Sequence, residues 1–195
     1  MILDLIQTIK NEDERQAITE IFNLYYGKMK SIAYDILHNR EDTEDAVMNA
    51  IKYMCDHPQM FIDYSISPRT KNLIYLCVKS AAIDIYRQNK RKNKVFSSLD
   101  DMEAFIKVDD STHSDDTILN IIINEETKSA LAKALDELDE MYKIPIMLKY
   151  YHQMKNIEIA KMMHLDVNMV NARIFRAKKI LQRKMEELGY KNDDI

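Results

Sequence analysis

The stretch Met154–Lys184 reads MKNIEIAKMMHLDVNMVNARIFRAKKILQRK and contains two apolar-periodic runs separated by a short break. In the second run, apolar residues recur every three or four positions and form one stripe along a helix: Val167, Val170, Ile174, Ala177 and Leu181. The opposite face is polar and basic, with no acidic residue between Val167 and Lys184. Asp166 or Asn168 can cap this helix. The pattern predicts a helix-turn-helix whose second helix enters the DNA major groove.

The composition of the whole chain favours an all-α fold. Its 195 residues include two glycines and three prolines, fewer than sheets with tight turns usually need. The net charge is −4, whereas a DNA-binding domain that acts alone is usually basic. Two cysteines without a signal peptide indicate a reducing cytoplasm. No apolar run approaches the ~18–20 residues of a transmembrane helix, so we expect a cytoplasmic protein without membrane insertion.

The charge is segregated along the chain. Residues 97–116 contain seven acidic residues against one lysine, with several Ser and Thr. This composition indicates a flexible acidic linker. We therefore predict two small helical domains, residues 1–95 and 117–190, joined by an acidic linker at 96–116. The apolar spacing predicts helices at 13–39, from residue 40 to the His57-Pro58 pair, from Pro68 to about Lys92, and at 117–138 and 141–152.

Enzyme chemistry finds little support in the sequence. The chain has no P-loop, no glycine-rich phosphate loop and no HExxH motif. Cys55 and His57 form one possible metal-binding pair, but a structural zinc site needs four ligands and the other histidines are scattered. We therefore expect no catalytic residues, no metal and no cofactor.

Three blocks of sequence follow one another along the chain in the order of known family motifs. Residues 42–51 read DTEDAVMNAI, residues 73–87 read LIYLCVKSAAIDIYR before a basic run, and residues 135–178 contain IEIA and VNARIFRAK. These blocks are similar to the motifs DxEDxVQxxF, WLYxIAxNxxxDxxRxxxR and LxxLPxxxRxxxxLxxxxGLSYxEIAxxLxxxxGTVxSRxxRAR. Over about residues 18–188 the chain thus resembles RNA polymerase sigma factors of the sigma-70 family, specifically the two-domain extracytoplasmic-function type.

The resemblance implies a role for each block. The first matches the helix that docks on the largest polymerase subunit, which implies polymerase-binding residues Asp42, Glu44, Asp45, Met48 and Asn49. The second matches the helix that recognises the −10 element and helps to open the duplex, through Lys79, Ser80, Arg87, Lys90 and Arg91. The third contains the helix that reads the −35 element, through Asn168, Asn171, Arg173, Arg176, Lys178 and Lys179. The expected partners are core RNA polymerase and promoter DNA, with an anti-sigma factor as a further candidate.

The sequence departs from the family motifs at several positions. In the second block Leu73 replaces the usual Trp, and Ser80 replaces an Asn that is associated with a flipped base. In the third block the two glycine positions are Gln153 and Asn168, so we expect altered turn geometry. Asn171 stands where the family has Arg or Lys. Because an Asn side chain pairs well with adenine, this replacement predicts that recognition favours A·T base pairs.

The sequence is also compatible with two alternative functions. The chain could be a helix-turn-helix regulator that binds DNA without polymerase, but the basic run after residue 87 and the acidic face at 42–45 have no clear role in that case. It could also be a sigma-like interaction protein that binds polymerase or an anti-sigma factor without starting transcription.

Overall fold

The structure is a computed structural model that describes residues 2–62, 67–93 and 125–190. These residues form eight α-helices and one short 3-10 helix at Pro58–Met60, and no strand occurs among them, which confirms the predicted all-α fold. The helices are α1 (Ile2–Gln7), α2 (Glu12–Leu37), α3 (Arg40–Asp56), α4 (Pro68–Asn93), α5 (Glu125–Asp136), α6 (Glu140–Tyr150), α7 (Asn156–Met162) and α8 (Val167–Glu187).

The helices fall into two compact units. Helices α1–α4 lie in the first unit, and α5, α6, α8 and most of α7 lie in the second. The predicted acidic linker at 96–116 and the predicted helical turns at 117–124 lie outside the described residues, so the predicted domain boundaries remain predictions. Within the described ranges, no helix is long and apolar enough to cross a membrane.

In the first unit, side-chain caps define the helix boundaries. The Asn11 side chain accepts a hydrogen bond from the Glu14 N–H at 3.2 Å, and the Asn39 side chain accepts one from the Asp42 N–H at 3.0 Å. Between α2 and α3, His38 takes a left-handed backbone with φ 49° and ends α2. These caps satisfy backbone donors that a helix start leaves unpaired. Helices α2, α3 and α4 then pack against one another around one core, and α1 covers part of it.

The second unit is built on the apolar stripe of α8. Helices α5 and α6 pack against α8 around a shared core: Ala130, Leu131, Ala134, Leu138, Ile146, Ala177, Leu181 and Met185. Asp139 caps α6 by accepting a hydrogen bond from the Met141 N–H at 2.8 Å. Four of the five residues of the predicted stripe are buried, whereas Val167, the first residue of α8, is exposed. The stripe from Val170 to Leu181 is therefore the packed face of α8, and the opposite face carries polar side chains.

Candidate polymerase and DNA interfaces

Helices α7 and α8 and the turn between them form the predicted helix-turn-helix. Glu158 accepts a hydrogen bond from the Lys155 N–H at 2.7 Å, which fixes the start of α7. The Leu165 N–H donates to the carbonyl of Ala160 at 2.9 Å and closes the turn. Within the turn, His164 has φ 49°, a left-handed conformation that glycine adopts most readily but that His also tolerates.

The two residues that replace family glycines are accommodated differently. Gln153, before α7, has φ 57°, so the backbone keeps a left-handed conformation despite the side chain. Asn168 lies in the first turn of α8, where ordinary helical dihedrals suit any residue. The cap of α8 is Asp166, whose side chain accepts from the Asn168 N–H at 2.7 Å. Asn168 therefore keeps its exposed side chain for other contacts.

The polar face of α8 carries five of the six residues predicted to contact the −35 element. Asn168 and Lys179 are exposed. The others are half-buried: Asn171, Arg176 and Lys178. The Nζ of Lys178 lies 5.1 Å from the centre of the Tyr150 ring, which anchors that lysine to α6.

Phe175 belongs to this face and is not among the contact residues predicted from the sequence. Its side chain is 39% exposed, and the Nζ of Lys179 lies 4.8 Å from its ring centre. The spacing Asn168, Asn171, Phe175, Lys179 places all four on one side of the helix. An aromatic residue inside a polar helical stripe is the sequence signal that would have identified it.

Arg173 is a correction to the predicted set. Its side chain is 4% exposed, and its Nη2 lies 3.6 Å from the Met169 sulfur. Five residues after Asn168, it lies about 140° around the helix, away from the polar face. A buried guanidinium in this orientation does not reach a base pair, so we remove Arg173 from the −35 contacts.

Asn171 is linked to the first helix of the motif. The Nδ2 of Asn156, at the start of α7, donates a hydrogen bond to the Oδ1 of Asn171. The other amide atom of Asn156, its Oδ1, is buried and has no hydrogen-bond partner in the described part of the chain. Asn156 was not among the predicted site residues, because a contact between positions 15 residues apart depends on how the two helices cross.

The predicted polymerase-binding residues lie along α3. Glu44, Asp45 and Asn49 are exposed, whereas Asp42 and Met48 are half-buried. This face therefore presents two carboxylates and one amide to a partner.

The acidic residues of α3 already have contacts within the first unit. The Oε1 of Glu44 lies 3.6 Å from the Nζ of Lys30 and 3.6 Å from the Nε of Arg40. The Nδ2 of Asn89 on α4 donates to the Oδ2 of Asp42 at 2.9 Å. Among the described residues Asp45 makes no ion pair, and its side chain is exposed.

The predicted −10 contacts are distributed along α4. Lys90 and Arg91 are exposed near its end, and Lys79 and Arg87 are half-buried. Ser80 is a correction, because its side chain is 3% exposed. The middle of α4 packs against both α2 and α3, which leaves a narrow exposed strip that excludes position 80. A buried hydroxyl does not touch a base, so we remove Ser80 from the −10 contacts.

Two tyrosines lie on the exposed strip of α4. Tyr75 and Tyr86 are both exposed, and the Nζ of Lys79 lies 2.7 Å from the Tyr75 hydroxyl. Tyr75 also borders a groove of about 370 Å³ between α2 and α4. The groove is lined by Tyr25, Lys28, Met29, Ile32, Pro68, Lys71, Asn72, Ile74 and Tyr75. Aromatic rings and lysines along one helix are the combination that binds single-stranded nucleic acid.

Both cysteines are buried in the first unit and are not in a disulfide. Burial raises the pKa of Cys55 to about 11, with a smaller contribution from the charge of Asp56. Burial alone raises the pKa of Cys77 to about 12. The Sγ of Cys77 donates to the carbonyl of Ala50 at 3.7 Å. Both thiols thus belong to the packing of α3 and α4.

The chain is similar in sequence to known proteins. Residues 128–181, which span most of α5 through most of α8, match the family model described as Sigma-70, region 4. The ECF RNA polymerase sigma factor SigW of Bacillus subtilis (strain 168) is 23% identical over 193 residues, covering 96% of this chain and 98% of that protein. The region 4 match and this relative show a similarity to ECF sigma factors of the sigma-70 family. The RNA polymerase sigma factor SigV of the same organism is 28% identical over 152 residues, covering 77% of this chain and 80% of SigV.

The region 4 match and the two relatives confirm the resemblance to sigma-70 family sigma factors drawn from the three sequence blocks. Both relatives are aligned over most of their length, so the similarity extends beyond region 4. The individual contact residues on α3, α4 and α8 are not tested by these similarities. Apart from the two corrected positions, they remain predictions.

Proposed function

We propose that this protein is a sigma factor that binds core RNA polymerase and directs promoter-specific initiation of transcription. The first unit recognises the −10 element and the second unit recognises the −35 element. The observation that carries the proposal is the packing of α8. Its apolar stripe is buried against α5 and α6, so its polar face remains available to enter the major groove in the segment that matches sigma-70 region 4.

Polymerase binding is assigned to the exposed side of α3. Glu44, Asp45 and Asn49 offer an acidic and polar surface, which requires a basic surface on the partner. Glu44 is within 3.6 Å of two basic groups of its own chain, so its charge is partly balanced before binding. We therefore expect Asp45 to contribute more to the attraction than Glu44 does. Exposed charges of this kind act mainly on the association rate and on orientation.

Recognition of the −10 element is assigned to the exposed strip of α4 and the groove beside it. Lys79, Lys90 and Arg91 supply positive charge to the DNA backbone, and Tyr75 and Tyr86 offer ring faces to unstacked bases. From residue 75 to residue 91 the helix rises about 24 Å, a length that can follow several nucleotides of a single strand. These features support binding to an opened strand rather than to an intact major groove.

The overall acidity of the chain is compatible with this function. A net charge of −4 disfavours tight DNA binding by the isolated protein, since phosphate neutralisation supplies most non-specific affinity. In a complex with core polymerase, the partner contributes further basic surface, and this chain contributes sequence preference. The proposed partners are core RNA polymerase and promoter DNA, with an anti-sigma factor as a candidate regulator, and the proposed location is the cytoplasm.

The test of this function is DNA binding with and without polymerase. The full chain, purified core RNA polymerase and a labelled promoter fragment are mixed in an electrophoretic mobility assay. We expect a specific shifted complex when chain and core are both present. Specific binding by the chain alone, unchanged by core, would instead indicate a regulator that acts without polymerase.

A further inference from the structure

We propose that Asn156 is a positioning residue for base recognition, because its amide determines which edge of the Asn171 amide faces the DNA. Asn156 lies at the first position of α7, and Asn171 lies in the second turn of α8. The inference rests on the proposed −35 recognition and deepens it. It concerns a residue outside the polar face of α8, and it makes the preference at one base pair depend on two residues rather than one.

The hydrogen bond between the two amides restricts what Asn171 can offer to a base. The Oδ1 of Asn171 already accepts a hydrogen bond from the Nδ2 of Asn156. A bidentate contact with adenine uses both the oxygen and the nitrogen of an Asn amide. With the oxygen directed toward α7, the Nδ2 of Asn171 is the group left for the DNA. A donor selects base edges with acceptors, namely purine N7, guanine O6 and thymine O4.

The environment of Asn156 argues against a purely structural role. Its Oδ1 is buried and makes no hydrogen bond to any described residue. A buried acceptor without a partner reduces stability, and such groups are rare in folded proteins. An apolar side chain at this position would avoid that cost. The amide is therefore better explained by what its Nδ2 does for Asn171 than by any contribution to folding.

The decisive variant is Asn156→Asp. A carboxylate only accepts hydrogen bonds, so Asn171 has to donate its Nδ2 to residue 156 and turn its Oδ1 toward the DNA. An acceptor at that place selects base edges with donors, namely adenine N6 and cytosine N4. We expect a change of about tenfold in preference at one base-pair position, as is typical of a single base contact. The other positions of the −35 element keep their wild-type preferences.

The experiment uses the full chain with core polymerase and a promoter library randomised across the −35 element, with transcribed templates sequenced. Gln153→Glu is the matched control, because it adds the same negative charge three residues away at an exposed position. We expect this control to keep the wild-type preference at every position. If the Asn156→Asp variant supports transcription from the library and keeps the wild-type base preference at every position, the proposal is overturned.

A second variant separates positioning from stability. Asn156→Ala removes the hydrogen bond to Asn171 together with the buried oxygen. We expect a several-fold weaker preference at the same base pair, with a Tm equal to or above that of the wild type. A lowered Tm with an unchanged base preference would show a structural role only and would contradict the proposal, including when Asn156→Asp does not fold. If the wild-type chain with core polymerase yields no promoter-dependent transcript, the proposed function itself is refuted, whatever the role of Asn156.

Discussion

Asn89 on α4 donates a hydrogen bond across 2.9 Å to Asp42 on α3, two residues that are 47 positions apart in the sequence. Asp42 belongs to the surface proposed to bind polymerase, and Asn89 lies between Arg87 and Lys90, which are proposed to bind the −10 strand. The bond therefore joins the start of one proposed interface to the basic end of the other. It also gives Asp42 a role inside the first unit, besides any contact with polymerase.

This bond can be measured with a double-mutant cycle. Asp42→Ala, Asn89→Ala and the double variant are unfolded in urea, and we expect a coupling free energy of about 1 kcal/mol, as for a partly buried hydrogen bond. Gln88→Ala is the matched control, since Gln88 bonds to Asp84 of its own helix at an exposed site. That control is expected to change stability by less than about 0.5 kcal/mol. Additive effects of the two single variants would show that the bond contributes nothing.

Gly27 lies in the interior of α2, where glycine weakens a helix. A Cβ built at this position meets no atom within 4 Å, so a methyl group fits without any rearrangement. We expect Gly27→Ala to raise the free energy of unfolding by about 1 kcal/mol, because alanine has the higher helix propensity. Urea denaturation of the first unit measures the change. A loss of stability would mean that the surroundings of Gly27 are more crowded than the structure indicates.

Lys179 is proposed to contact a phosphate next to the −35 element. We expect Lys179→Ala to weaken binding to all promoter sequences alike and to reduce the slope of log K against log salt by about 0.9. Lys133→Ala provides the comparison, because Lys133 is an exposed lysine on α5, outside the recognition helix. Titrations of the polymerase complex at several salt concentrations give both slopes. A changed base preference with an unchanged slope would place Lys179 on a base instead.

The two buried thiols lead to a prediction about reactivity and pH. Burial raises the pKa values of Cys55 to about 11 and Cys77 to about 12, so neither forms the reactive thiolate near pH 8. We expect iodoacetamide to leave both unmodified in the native protein and to modify both in urea, as counted by mass spectrometry. Rapid labelling of the native chain at pH 8 would contradict the burial.

The same pKa shifts affect stability in alkaline solution. Both thiols ionise from 9.0 in the unfolded chain but only near 11 to 12 in the folded one, so the folded state retains protons that the unfolded state releases. Stability is therefore undiminished below pH 9 and falls as the pH rises through 11. As the pH rises from 9 through 11, a Cys77→Ala variant is expected to lose less of its free energy of unfolding than the wild type does.

The helices and their apolar stripes were predictable because each helix has its own apolar periodicity and its own capping residues. Of the five residues predicted for the stripe of α8, Val170, Ile174, Ala177 and Leu181 are buried as expected, whereas Val167 is exposed at the start of the helix. The orientation of single polar residues was less predictable. Motif similarity assigned Ser80 and Arg173 to DNA contacts, yet the packing of their helices buries both. A matched motif gives the type of residue at a position, whereas tertiary packing decides whether that residue faces solvent.

The sequence patterns also did not predict contacts between residues on different helices. Asn156 meets Asn171, and Asn89 meets Asp42, only because pairs of helices cross at particular places. Tyr75, Tyr86 and Phe175 have the spacing of a helix but are apolar enough to be taken for core residues. The exposure of Tyr75 and Tyr86 depends on which face of α4 is packed, whereas Phe175 is already distinguished in the sequence as an aromatic residue inside a polar stripe. Residues of this kind refine both proposed DNA surfaces beyond what the motifs indicated.

We propose that this chain gives core RNA polymerase the ability to start transcription at specific promoters. Run-off transcription with purified core enzyme and a library of candidate promoters tests it most directly. We expect the wild-type chain to yield products of defined length that core alone does not make, and the double variant Asp45→Ala/Asn49→Ala to yield fewer through weaker binding to core. If the folded wild-type chain binds core polymerase but yields no promoter-dependent product from any template, the account is contradicted.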